Sequence, residues 1–489
     1  FEAEDLQFAC GSASGRDRDG DGLVDPTCIT ATTSPDPATI ATPIDPTVPA
    51  DFGTATTFIY QHPTPVQHGM LPNVIEDFRV AVLRGEIRDE NGSPLEGVLV
   101  RVLNHPEVGY TYTRADGMFD VVVNGGSEVV LDYRKPGYLP AQRSAVAPWR
   151  DWEWVPDATL VPIDTVVTRI VTGGQMPRQL IRSSVVTDGD GTREAVLLVP
   201  PAITAELRMH DGSTQVMTEL NVRATEYTVG ERGPDRMPAA LPPTTAYTYA
   251  VDFSADEAFA ANARSVEFNQ PLAFYLDNFL GAPVGVAIPV GFLDARLASW
   301  LPSDDGRVVK ILAISGGLAD LDIDGSGTAA DAAALAALGI DLGERTQLAQ
   351  IYPVGKELWR TPISHFTPWD CNFPYAPNPD DEPPPEGTDD FDEDCGESCG
   401  LADEDPTDVD DDVEVDEDPD TCRGSLIRCQ PGSLQESIPV AGTGLSLVYH
   451  SERVPGLEAT FASLQLKLKI TRDVIPPNLQ AASVDVVSL

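Results

Sequence analysis

The chain has 489 residues, 42% of them apolar, with 77 acidic against 32 basic side chains and a net charge of −45. That length supports roughly two to four domains with cores of their own. The charge excludes nucleic acid and anionic membrane as partners and favours divalent cations.

No stretch is long and apolar enough to cross a membrane as a helix; the most apolar, Phe279 to Leu293, is short and holds two prolines, so membrane insertion is not expected. No signal peptide is visible, and an opening at Phe1 without Met reads as a mature or trimmed product. Proline (43) and glycine (40) punctuate the chain, which predicts many short strands. The expected fold class is therefore mainly β: several small β-sandwich domains joined by disordered linkers. The seven cysteines, Cys10, Cys28, Cys371, Cys395, Cys399, Cys422 and Cys429, sit only towards the two ends. Local disulfides in a secreted or cell-surface protein are expected, with free thiols or a metal site as the alternative. The spacing of the last four does not fit a zinc ribbon.

Residues 1–28 contain "DRDGDGLVDPTC", in which Asp17, Asp19, Asp21 and Asp25 are interleaved with glycines. Calcium takes six to eight oxygen ligands, and Asp-Gly alternation lets a tight loop turn its carboxylates inward. The stretch resembles one copy of the aspartate-rich calcium repeats of thrombospondin type 3, which implies structural Ca2+, with Cys10 and Cys28 placed to staple the loop. A solvated Asp-Gly turn is the alternative. Residues 29–73 read as a Thr/Pro-rich linker, extended by its prolines.

Residues 74–163 alternate strand and turn patterns: "VLRGEIRD", the Asn91-Gly92 turn, "VLVRVLNH", "YTYTR", "MFDVVV" and "SEVVLDY". They predict a compact β-sandwich, with the three tryptophans of "PWRDWEWVPD" capping it. Residues 164–376 form a longer β-rich region. Strands are expected at "EAVLLVPP", "TELNVRATEYTV", "AYTYAVDF" and "SVEFNQPLAFYL", a hairpin around Asp305-Gly306, and one helix from Ala329 to Gly339. Just before that helix, "DLDIDGSGTAAD" places Asp320, Asp322, Asp324, Ser326 and Asp331 at positions 1, 3, 5, 7 and 12 of an EF-hand-type loop, with Gly325 at position 6. A second structural Ca2+ is expected there, although position 12 is Asp and no entering helix is evident. The alternative is that Asp331 simply caps the helix.

Between Asp380 and Asp420 there are 22 acidic residues and no basic one, so 377–423 reads as a disordered acidic linker. The final segment, 424–489, opens with two short strands around a Gly-rich turn in "SIPVAGTGLSLVYHSERVPG". No catalytic constellation emerges. His62, His68, His105, His210, His365 and His450 form no HExxH pair, and no nucleophile elbow or phosphate loop is present. A non-enzyme is expected.

The block from "LRGEIRDENGSPLEGV" through "NHPEVGY", "TRADGMFD" and "VVLDYRKPGYLP" to "PW" resembles a carboxypeptidase regulatory-like, transthyretin-like module, in the version found in teneurins. The last stretch resembles the fibronectin-like plug of teneurins and bacterial YD-repeat (Rhs-type) proteins, through Ile438, Pro439, Gly442, Leu445, Leu447, Tyr449, Ser451, Arg453 and Gly456. "GVAIPVGFLDARLASWLPSDDGRVVKIL" and "LWRTPISHFTPWDCNFPYAP" resemble the part preceding that plug. The resemblance implies a non-catalytic secreted or surface scaffold: the N-terminal region of a bacterial teneurin-like protein that supports and plugs a YD-repeat β-shell used in toxin encapsulation, toxin delivery or cell contact. No YD repeats occur in the sequence, so the shell is expected either on the same polypeptide before cleavage or on a companion chain. The hairpin's apolar face would close the shell, and Arg453 would anchor to it. A free-standing calcium-dependent surface adhesion module is the competing expectation.

Overall fold

The computed structural model describes residues 10–12, 16–41, 43, 51–230, 233–241 and 248–371, and the backbone alone of 435–439 and 446–450. The chain divides into two units, Phe1–Tyr375 and Ala376–Leu489. As expected, the architecture is mainly β, in several sheets.

The first unit begins its folded body with a sandwich of eight strands: β1 (Val80–Arg88), β2 (Leu99–Val102), β3 (Tyr110–Tyr112), β4 (Met118–Asn124), β5 (Glu128–Arg134), β6 (Ala141–Val146), β7 (Asp151–Trp154) and β8 (Ala158–Thr159). One sheet runs β4-β1-β7 with β8 also on β1; the other runs β3-β2-β5-β6. Alternation decides which side chains face inward. Leu83, Ile87, Phe119 and Val121 from one sheet meet Val100, Leu131 and Tyr133 from the other. Each such burial contributes about 1.5–3 kcal/mol.

The outer face of the β1 sheet is covered by part of the stretch read as linker. Helical turns Phe52–Thr56 and Phe58–Gln61 lay Ile59 over Val80, Val82 and Val122, with Val66 beside them. The Gln67 amide donates to the Val108 and Val122 carbonyls and accepts from the Val122 N–H. The apolar content of Phe52, Phe58, Ile59 and Tyr60, hidden among Thr and Pro, is what makes these residues pack. The tryptophans differ too. Trp149, Trp152 and Trp154 do not cap the sandwich; they line its β7 edge in solvent. The core is already closed by side chains that the sheet alternation points inward, which leaves the "WRDWEW" segment on the rim.

The second sandwich has a six-stranded sheet in the order Ser299–Pro302, Gly291–Asp294, Pro368–Asp370, Ala250–Ala255, Glu219–Glu226, Thr168–Val171. Facing it is a nine-stranded sheet whose central path is Gln179–Arg182, Ala195–Val199, Ser265–Asp277, Glu357–Phe366, Gly306–Ser315, Ala287–Ile288. Leu197, Phe253, Phe274, Trp359 and Trp369 lie in the core between them. The four strands expected here are present. The hairpin around Asp305-Gly306 is not: Ser299–Pro302 pairs with Gly291–Asp294 in one sheet, and Gly306–Ser315 pairs with Glu357–Phe366 in the other. The turn signal is real, but it carries the chain from sheet to sheet.

The helix expected at Ala329 to Gly339 forms over Ala332–Ala337, and a second, Leu342–Ile351, follows it. Leu335, Ile340 and Leu348 seat the pair on Val196, Tyr275, Val309 and Leu358. The second helix was not anticipated because "LGERTQLAQI" carries only a thin apolar stripe.

The two sandwiches meet at a buried joint. Arg143 donates through Nη1 to the Met237 carbonyl (2.9 Å) and through Nη2 to that of Asp235 (2.6 Å), and Gln142 reaches the Ala295 carbonyl (2.8 Å). Leu139 and Val161 pack with Tyr227, Met237 and Ala250 alongside.

In the second unit, Gln435–Pro439 and Ser446–His450 pair antiparallel, with Ile438 opposite Leu447. The acidic stretch 377–423, Arg453 and the four cysteines from Cys395 to Cys429 lie outside the described residues. Cys10 and Cys28 are joined as a disulfide, while Cys371 is a free, buried thiol.

Candidate metal centre

Asp17, Asp19 and Asp21 lie on a loop closed by the Cys10–Cys28 bond, whose Cα atoms are 5.6 Å apart. One carboxylate oxygen from each lies within 4.8 Å of the other two. Local hydrogen bonds set this convergence. The Gly22 N–H donates to Asp17 Oδ2 (3.2 Å), that of Asp21 to Asp19 Oδ1 (3.4 Å), and that of Leu23 to Asp21 Oδ1 (2.8 Å). Gly20 and Gly22 adopt φ of 76° and 80°, a region that suits glycine. Gly22 is also forced by space: an added Cβ would lie 2.6 Å from Asn104 Oδ1. Asp25 stands apart, its Oδ2 accepting from the Arg18 N–H (2.9 Å).

The loop is docked firmly. Leu23 and Val24 are buried, and Val24 packs with Cys28 and Tyr110. Arg101 donates through Nη1 to the Val24 carbonyl (2.9 Å) and through Nη2 to Asp132 Oδ1 (3.0 Å). Asn104 donates from its backbone to the Gly22 carbonyl (2.7 Å). The second sandwich contributes Asn262, whose Nδ2 donates to Asp19 Oδ2 (2.7 Å) and Asp21 Oδ2 (3.2 Å) while its Oδ1 accepts from Arg134 (3.0 Å). The acidic loop therefore bridges the two sandwiches.

Burial pushes the Asp17 carboxyl up, and the charges of Asp21 and Asp19 push it further, against the Gly22 hydrogen bond. Its Oδ1 is buried without a hydrogen-bond partner. Nearby, burial pushes the His210 imidazole down despite Asp21 and Asp19. An all-oxygen cluster of three crowded carboxylates, one of them with an orphaned oxygen, has the donor chemistry of a hard divalent cation such as Ca2+.

The EF-hand-type loop is arranged differently. Asp320 is taken by Arg345 (2.8 Å) and Ser315 (2.5 Å). Asp322 Oδ1 accepts from the Gly325 N–H (2.8 Å), and its Oδ2 accepts from that of Gly327 (2.8 Å). Asp324 accepts from the Ser326 N–H (3.0 Å), and the Ser326 hydroxyl meets that of Thr328 (2.7 Å). Asp331 caps the helix through the Ala334 N–H (2.8 Å). These five groups do not converge; among the described residues, the Asp17, Asp19, Asp21 cluster is the one that does. Sequence reasoning had no route to Asn262, Arg101 or Arg134, which only tertiary packing brings to the loop.

Residues 75–160, most of the first sandwich, match a family profile described as "Teneurin TTR-like domain". This part of the chain is teneurin-like. Teneurin-3 of Danio rerio is 34% identical over 156 residues, covering 28% of this chain and 6% of that protein. Teneurin-1 of Homo sapiens is 32% identical over 181 residues, covering 32% of this chain and again 6% of the relative. The chain thus matches only a small fraction of the length of these relatives. A solved structure titled as a streptococcal ancillary pilin aligns with 29% of this chain and 60% of its own at 11% identity, with a TM-score of 0.15, too low to build on. The matched region carries Arg101 and Asn104, which bond the acidic loop directly, and Arg134, which holds Asn262 against it.

Proposed function

We propose that this chain is a non-catalytic, extracytoplasmic scaffold from a teneurin-like protein, in which cation-locked domains support and close a YD-repeat β-shell. The observation that carries the reading is the teneurin TTR-like domain at 75–160, joined to a second sandwich across a buried polar joint. The Cys10–Cys28 disulfide supports an oxidising, extracytoplasmic setting. In this reading the segment from Ile438 to Gly456 is the plug, and the shell belongs to the same polypeptide or to a companion chain. What it encloses or presents serves toxin delivery or cell contact. Isolation from the native source, with intact-mass analysis of everything that travels with the chain, is expected to reveal a YD-repeat polypeptide, fused or bound. A lone species of 52.4 kDa would overturn the proposal in favour of a free-standing calcium-dependent adhesion module, the reading the acidic loop favours.

The cation assigned to Asp17, Asp19 and Asp21 is Ca2+, with water completing the shell. Calcium at a hundredfold of its Kd would stabilise the fold by about 2.7 kcal/mol. Replacing Asp19 and Asp21 by Asn is expected to remove any calcium-dependent rise in melting temperature; an unchanged response in that variant would reject the assignment.

A further inference from the structure

The β7 edge presents aromatic rings to water. Trp149, Trp152 and Trp154 are 58%, 42% and 50% exposed, and Phe78 beside them is 50% exposed. Tryptophan is rarely left this open, and three exposed indoles within six residues of one rim mark a candidate binding surface. Among the described residues β7 pairs with β1 alone, so the strand forms the rim of its sheet.

The rings are held in place. Phe78 meets Trp149 edge-on (6.1 Å, 83°), Phe52 meets Trp152 likewise (5.8 Å, 84°), and the Trp154 indole N–H donates to Asp157 (3.1 Å). Gly126 leaves room for Trp149, since a Cβ there would come within 2.4 Å of the indole nitrogen. Aromatic groups fixed before binding lose little entropy on contact.

The surface also shows which chemistry it takes. The Arg84 guanidinium sits 4.7 Å from the centre of the Trp152 ring while its Nε donates to Asp120 (2.6 Å). Among the described residues no cation covers Trp149 or Trp154. Acidic residues outnumber basic ones around the rings: Asp157 lies against the Trp154 indole, Asp51 precedes Phe52, and Glu76 and Asp77 precede Phe78, against Arg150 beside Trp149 and Arg79, which pairs with Glu76; alternation turns Asp151 and Glu153 to the other face of the strand. In a chain of net charge −45 this edge repels anions and draws cations.

We propose that the Trp149–Trp154 ledge docks a basic, arginine-bearing segment of a protein partner, with guanidinium groups stacked on the open indoles and paired to the neighbouring carboxylates. Arginine suits this better than lysine because its planar fork stacks and donates at once.

The test titrates the full chain with a short arginine-rich peptide, a lysine-rich peptide of equal length, and neutral oligosaccharides, followed by tryptophan fluorescence and calorimetry. The 22 acidic residues of 380–420 attract any polycation by charge alone, so the decisive comparison is with Trp149→Leu and Trp154→Leu, which leave the charge unchanged. The arginine peptide is expected to bind more tightly than the lysine peptide, and to lose about tenfold in affinity in each variant. Asp157→Asn, which keeps every ring and an acceptor oxygen for the Trp154 indole, is expected to weaken the arginine peptide as well. Equal binding by wild type and both tryptophan variants would overturn the proposal. So would identical affinities for the two peptides, or a response to a neutral oligosaccharide alone.

Discussion

Asp252 is a fully buried carboxylic acid on Ala250–Ala255, beside the joint between the sandwiches, and its Oδ1 has no hydrogen-bond partner. Burial pushes its pKa up to about 6. Because the folded state holds this proton more tightly than the unfolded chain, the group favours folding below about pH 4. That contribution is lost as pH rises from 4 to 6. Asp252→Asn is therefore expected to stabilise the protein by up to about 3 kcal/mol at pH 7.5 and by much less at pH 4.5, read from denaturation midpoints at both pH values. Arg101 is the opposite case, a buried cation paired through its two Nη groups with the Val24 carbonyl and Asp132, although its Nε has no hydrogen-bond partner. Asp132 is held below the usual carboxylate range by Arg134 and Arg101, although burial works the other way. Arg101→Ala leaves a buried carboxylate short of a partner and is expected to cost about 3–5 kcal/mol in a denaturant titration.

At the scale of elements, residues 17–28 form no regular helix or strand beyond a short turn at Pro26–Cys28, yet the segment is ordered by what it touches. The Tyr110 hydroxyl accepts from the N–H groups of Thr30 and Ala31, Arg16 reaches the Gly69 carbonyl, and the disulfide closes a separation of 18 residues. A loop of that size contributes about 3 kcal/mol by restricting the unfolded chain. Reduction, or Cys10→Ser with Cys28→Ser, is expected to lower the melting temperature. It should also weaken any calcium response, because the three aspartates would no longer be held together. The helix Leu342–Ile351 shows a different kind of support, with Glu344 buried and accepting from both Tyr275 and Arg360. Its place comes from that polar triad and from Leu348, more than from its own apolar stripe.

Across the whole molecule, the acidic loop belongs to neither sandwich alone. Asn262 reaches Asp19 from 243 positions away in the chain. Adding a fourth carboxylate there sharpens the test of a bridging cation. Asn262→Asp is expected to destabilise the protein in EDTA through like-charge crowding and to recover in millimolar Ca2+, measured as paired melting curves. If the deficit is the same with and without calcium, the loop is a hydrogen-bonded strap and no more.

The strands with clear period-two alternation between Gly/Asn/Asp turns were legible in the sequence, because those signals act locally and do not depend on partners; "MFDVVV" and "SEVVLDY" became β4 and β5 in this way, whereas short strands such as Ala141–Val146 and Gln179–Arg182, and the long Glu357–Phe366, were not read. The Asp17, Asp19, Asp21 cluster was legible for the same reason, since its glycines and Asx hydrogen bonds span only a few residues. Other features depended on packing. The crossing between sheets after Pro302, the burial of Ile59 under a stretch of Thr and Pro, and the exposure of Trp152 and Trp154 follow from which surfaces the core leaves uncovered. So does the docking of Arg101 and Asn262 on the acidic loop. By itself the sequence determined the strongly alternating strands, the Gly/Asn/Asp turns within the first sandwich and the carboxylates of the acidic loop. The tertiary structure alone decided what those carboxylates touch and which aromatic rings meet water, because long-range contacts form between segments whose local patterns carry no record of one another.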